Sequence, residues 1–207
     1  MKTMKITHEN FLKKTSFNKK ELLAHSWGSL VTDPPEGGFS MLPSPPMLMF
    51  DRITEISHCK NKGRIVAEQD IAIDDWFFQC HFRQDPVQPG CLGVDAVWQL
   101  IGFYIAARGS NGVGRALGCK EVEFLGQIRP HNKTVRYEVD IRRYTEMKAQ
   151  GASIAIGTGH VFVDNELIYT IKDAKVGAFV GIQYKDYPHE SANSLGGQLS
   201  RNKTESS

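Results

Sequence analysis

The stretch "CHFRQDPVQPGCLGVDAVWQL", residues 80–100, gathers groups suited to proton transfer. His81 carries an imidazole, which titrates near neutral pH and can serve as a general base. Asp95 sits about one turn into an apolar run, where burial disfavours the charged carboxylate and favours the protonated acid. Pro86 and Pro89 fix backbone angles and withhold amide donors, while Gly90 lets a ligand approach the main chain closely. A helix starting next leaves the Gly90 and Cys91 amides free at its positive end, ready to hold an oxygen that gains negative charge. Gln99 lies one turn beyond Asp95 on the same helix face, a spacing that lets it orient the carboxyl group.

Taken alone, the residues leave other readings open. A histidine beside "WFF" also serves as a packing residue, and an aspartate early in a helix also compensates the helix dipole. Cys80, His81 and Cys91 raise the question of zinc, but their spacings match no common ligand pattern and no metal is expected. A thiol nucleophile built from Cys91, His81 and Asp95 lacks any family signature, so Cys80 and Cys91 read as packing residues.

These residues need a scaffold, and the chain can supply one. Its 207 residues are 41% apolar and 23% charged, enough for one domain with a real core. A formal charge of +2 gives no global field to attract nucleic acid, so a charged partner must be met locally. Cys59, Cys80, Cys91 and Cys119 form no CxxC pair, and the N-terminus lacks the apolar block of a signal peptide. Reduced thiols in a cytoplasm are expected. With no run of roughly 18 consecutive apolar residues, no membrane span is expected either.

Residues 1–46 read as a lead-in, with "FNKKELLAHSWGSL" as a short helix followed by a Pro/Gly-rich arm laid on the core. "GRIVAEQDIAI" alternates as a strand, with Ile65 and Ala67 on one face and Arg64, Val66 and Glu68 on the other. "CLGVDAVWQLIGFYIAA", Cys91 to Ala107, is apolar almost all round, the pattern of a helix enclosed by protein. "TVRYEVDIRRY" alternates Val135, Tyr137, Val139 and Ile141 against charged residues, and two further strands flank the turn dipeptide Asp164-Asn165. One long helix followed by long antiparallel strands predicts an α+β fold in which the sheet curls around the helix over residues 47–183. Residues 184–207 read as a polar tail.

The segments "LPSPPMLMFDRI", "WFFQCHF", "DPVQPGCLGVDAVWQLIGFY", "GRALG" and "LIYTIKDAKVG" resemble, in order and spacing, the bacterial 3-hydroxydecanoyl-acyl carrier protein dehydratase/isomerase family. The resemblance covers roughly residues 18 to 182. It implies a hotdog fold, an antiparallel sheet wrapped around one central helix, and a homodimer with active sites at the subunit interface. It places His81 at the family's catalytic histidine and Asp95 at its catalytic acid, supplied by the partner subunit. Gly90 falls where an amide binds the thioester carbonyl, and Val87, Cys91, Trp98 and Gln99 are expected to line the substrate site. The strictly dehydrating relatives carry Glu where this chain has Asp95, so the bifunctional branch is implied.

The implied activity is dehydration of a (3R)-3-hydroxyacyl thioester to the 2-trans-enoyl product, followed by isomerisation to the 3-cis isomer for unsaturated fatty acid synthesis. No cofactor is expected, because phosphopantetheine arrives on the acyl carrier protein. That acidic partner should meet basic residues: Arg142, Arg143, Lys148 and Lys175 are candidates, and the resemblance puts Arg143 and Lys175 nearest the family's carrier contacts. A hotdog thioesterase and a non-catalytic acyl-binding regulator are the alternatives. Free thiol release would reveal the first; the second needs an output element that the short, breaker-rich lead-in does not offer.

Overall fold

The 18-residue helix α3, Gly90–Ala107, organises the computed structural model, which describes residues 5–197. Leu92, Ala96, Val97, Leu100, Ile101, Phe103 and Tyr104 are all buried, so its apolar character is used inside the fold. By length and mean hydropathy α3 could cross a bilayer, but most of it is enclosed by the protein itself.

Seven antiparallel strands surround it. They are β1 Arg52–Cys59, β2 Lys62–Asp70, β3 Val113–Gly118, β4 Glu121–Phe124, β5 Thr134–Met147, β6 Ala152–Val163 and β7 Glu166–Phe179. Their order is β1-β2-β5-β6-β7-β3, with β4 also paired to β7, and α3 touches β2, β3, β5, β6 and β7. This is the hotdog arrangement, α+β with a sheet wrapped on one long helix. Burial alternates without a break along β6, so one face meets α3 and the other is more exposed. At Gly93 the helix comes so near β7 that a Cβ would lie 2.7 Å from the Tyr169 ring. Asp164 and Asn165 both have positive φ and close the β6–β7 hairpin in two residues, as their types suggest.

Alternation on β5 changes at a bulge between Ile141 and Arg143. Ile141 and Tyr144 are buried with two exposed arginines between them, and Arg143, not Arg142, stands opposite Ile156 of β6.

The lead-in contains two helices, α1 His8–Lys13 and α2 Lys19–Ser26. Only the second is foreshadowed by the sequence; it is fixed by a capping box in which Asn18 and Glu21 exchange side-chain and backbone hydrogen bonds. Phe11, Phe17 and Leu22 are fully buried in the same core as Phe103 of α3, and Phe17 bridges to Ile53 of β1. Residues 184–197 form turns and bends, while positions 198–207 of the expected tail lie outside the described residues.

Candidate active site

His81 follows the short helical turn Trp76–Gln79, anchored by the buried Phe77 and Phe78. Its backbone N–H donates to Phe77 O at 2.9 Å, and its carbonyl accepts the Val87 N–H at 2.8 Å. The ring Nδ1 lies 2.9 Å from Val87 O. A carbonyl can only accept, so Nδ1 carries the proton and the neutral ring keeps its basic lone pair on Nε2. The rings of His81 and Phe82 have centroids 3.8 Å apart. Behind this loop, Arg129 pairs with Asp85 and donates to Pro86 O at 3.0 Å, and the Gln88 N–H donates to Ile128 O at 3.0 Å. The imidazole therefore sits on a braced loop.

Pro89 caps α3 without a side-chain hydrogen bond, and the Leu92 N–H turns back to Pro89 O at 3.0 Å. The amides of Gly90 and Cys91 have no acceptor among the described residues, and both residues line the cavity that His81 lines. A Cβ at Gly90 would lie 2.6 Å from Phe124 Cε1, so the helix start and this ring approach too closely for a side chain.

The cavity holds about 540 Å³. Of the residues named from sequence, His81, Val87, Gly90, Cys91 and Trp98 line it. Sequence reasoning missed Gln88, Val122, Phe124 and Tyr169, which share its walls. Phe124 and Tyr169 meet only because β4 pairs with β7, with rings edge to face at 4.9 Å, and no spacing in the chain signals that meeting. Gln88 is 1% exposed, and neither of its carboxamide atoms has a partner among the described residues.

Asp95 and Gln99 do not line this cavity. They line a second one of about 280 Å³, beside Met41 and Met47, and Trp98 stands in both walls. Gln99 Nε2 donates to Asp95 Oδ2 at 2.6 Å and to Met47 O at 2.7 Å, while Gln99 Oε1 accepts the Met49 N–H at 3.2 Å. His81 and Asp95 thus open onto different cavities of one chain.

The four basic candidates line neither cavity. Arg142 pairs with Asp173 at 2.8 Å, and Lys148 lies 3.9 Å from Glu146. Arg143 and Lys175 have no carboxylate partner among the described residues, and both stand opposite Ile156, one from β5 and one from β7. Among the described residues no three His, Cys, Asp or Glu side chains gather closely enough to hold a metal ion.

The family model for the FabA-like domain matches residues 42–172. Among solved structures, the dehydratase heterocomplex ApeI:P from Xenorhabdus doucetiae is similar at 12% identity and a TM-score of 0.45, covering 66% of this chain and 85% of that one. A hypothetical thioesterase from Streptococcus pneumoniae, solved with coenzyme A, is similar at 11% identity and a TM-score of 0.42, covering 61% and 84%.

Proposed function

Since the chain belongs to the FabA-like domain family, we propose that it dehydrates (3R)-3-hydroxyacyl thioesters carried on acyl carrier protein, with 3-hydroxydecanoyl as the preferred chain, and isomerises the 2-trans-enoyl product to the 3-cis isomer. The observation that carries this reading is the His81–Val87 hydrogen bond, which leaves Nε2 basic on a cavity that also holds the unpaired helix-start amides. The rest of that cavity is walled mainly by Val87, Val94, Trp98, Val122 and Phe124, suited to an acyl chain.

In this mechanism the thioester oxygen sits on the Gly90 amide. His81 Nε2 takes a proton from C2, and the enolate-like charge gathers on the oxygen that the amide holds. Asp95 gives its proton to the 3-hydroxyl, which leaves as water while the C2–C3 double bond forms. Isomerisation then removes a C4 proton and returns one to C2. Asp95 opens onto its own cavity, so the reading places it in the partner's site across a homodimer interface, with Trp98 at the junction. No cofactor enters beyond the phosphopantetheine of the carrier, and the location expected for this chemistry is the cytoplasm.

The deciding experiment incubates the protein with 3-hydroxydecanoyl carrier protein and identifies the products. The 2-trans and 3-cis decenoyl thioesters are expected. Release of free carrier thiol with no enoyl product would replace the dehydratase by a thioesterase, and an unchanged substrate would leave a binding protein.

A further inference from the structure

Tyr169 is one of the hydrogen-bonding groups in the 540 Å³ cavity that the mechanism above leaves unused. It is 2% exposed, its hydroxyl makes no hydrogen bond to another described residue, and that hydroxyl is not among the fully buried polar atoms left without a partner, so it keeps access to open space while the residue lines the cavity. A hydroxyl that keeps access to the cavity without a protein partner is free to meet an acceptor that arrives with the ligand. The ring is held on two sides: its edge lies 2.7 Å from where a Gly93 Cβ would stand, and Phe124 meets it edge to face at 4.9 Å. Phe124 in turn lies against Gly90. These contacts place the ring beside the first turn of α3. Burial pushes the phenol up to about 12, so it keeps its proton at working pH and can donate it in a hydrogen bond.

We propose that the Tyr169 hydroxyl is a substrate contact, donating a hydrogen bond to the thioester carbonyl oxygen together with the helix-start amides of Gly90 and Cys91. The inference rests on the dehydratase reading and deepens it. A carbonyl oxygen has two lone pairs, so it can accept from an amide and from a phenol at once. The contact strengthens as the oxygen gains charge, which makes it a rate-enhancing donor and not only a binding one.

The test has two readouts. In steady state, Tyr169→Phe keeps the ring and removes the donor, and kcat for 3-hydroxydecanoyl N-acetylcysteamine is expected to fall about 10- to 100-fold with a small change in KM. The second readout needs no turnover: the same thioester, labelled with 13C at its carbonyl, is bound to His81→Asn protein and its carbonyl stretch is recorded by infrared spectroscopy. Adding Tyr169→Phe is expected to move the stretch to higher frequency. Site-specific replacement of Tyr169 by 3-fluorotyrosine, a stronger donor of nearly the same shape, is expected to move it lower, and this arm stands even if the Phe variant fails to fold. A thioester that binds with a carbonyl stretch unmoved by these changes overturns the inference, as does full activity of a folded Tyr169→Phe enzyme. A thioester that does not bind at all would instead sink the dehydratase reading.

Discussion

Gln99 holds Asp95 from one turn further along α3, with Nε2 2.6 Å from Asp95 Oδ2, and it is itself clamped by the carbonyl of Met47 and the amide of Met49. The carboxyl group is thereby tied to the segment that precedes β1 as well as to its own helix. Because the amide donates to Oδ2, the other oxygen, Oδ1, is the one that would exchange a proton with a ligand in the proposed reaction. Orientation of this carboxyl group is built into the chain.

His81→Asn and Asp95→Asn should each lower dehydration on the order of 100-fold or more while leaving secondary structure and dimerisation unchanged, since each removes one proton-transfer group. Because the two residues open onto different cavities of one chain, mixing the inactive variants under exchange conditions should restore part of the activity. Native mass spectrometry would confirm the heterodimer. Heterodimers that form and remain inactive would argue that base and acid do not meet across subunits.

Gly90 offers a separate test of the oxyanion site. Pro89 already has ψ 128°, an extended value compatible with a following proline, and proline is tolerated at the first helical position. Gly90→Pro should therefore still start the helix, with its Cβ displacing the half-exposed Phe124 ring as an alanine's would, remove the amide donor and cost roughly 2.7–4 kcal/mol of transition-state stabilisation. Gly90→Ala keeps the N–H but drives a Cβ toward the half-exposed Phe124 ring, which can shift. A kcat much lower in the Pro variant than in the Ala variant is expected, with circular dichroism and sizing as controls. Equal activities would assign the loss to crowding at Phe124.

Stability should carry a signature of the lead-in. His25 of α2 is 1% exposed among Phe11, Phe39 and Phe103, and burial drops its imidazole to about 3. Below about pH 6.5 the unfolded chain binds a proton that the native ring refuses, so stability falls with falling pH by up to about 1.4 kcal/mol per unit from this group. Between pH 6.5 and 5 that amounts to about 1.6 kcal/mol, since the unfolded ring is only half protonated at the upper end. Urea denaturation of His25→Leu across this range should show a shallower pH slope than the parent, whatever its absolute stability. Identical slopes would mean that His25 protonates in the folded protein.

How much of this could be read from the chain follows from how local each signal is. The Asp95–Gln99 bond was legible because a helix fixes which residues share a face, and the Asp164-Asn165 turn because both types tolerate positive φ. Helix α1 was not, since six residues give too short a window for periodicity. Tyr169 and Phe124 entered the cavity through strand pairing between segments that no spacing rule connects. The separation of Asp95 from His81 into two cavities was equally invisible, because sequence proximity along a loop and a helix says nothing about which side of Trp98 each opens onto. The bulge at Arg142 decided which arginine faces Lys175's row, and alternation alone would have put the wrong one there.

That bulge bears on the carrier protein. Arg143 and Lys175 both pair opposite Ile156, so their side chains leave the same face of the sheet with one strand between them. Arg143 reaches only the Thr145 hydroxyl, at 3.3 Å, and Lys175 has no carboxylate partner among the described residues, whereas Arg142 and Lys148 are each beside one. Unpaired cations side by side are the ones able to meet an acidic partner without first giving up an existing contact. Reversing both, Arg143→Glu with Lys175→Glu, should raise KM for 3-hydroxydecanoyl carrier protein by about 10-fold or more at low salt and flatten its dependence on ionic strength. Turnover of the N-acetylcysteamine thioester should not change, because that substrate brings no carrier. Arg142→Glu with Lys148→Glu serves as the matched control and should do less. Equal losses on both substrates would place the charges in service of the fold, and an unchanged KM for the carrier substrate would return them to the solvated surface.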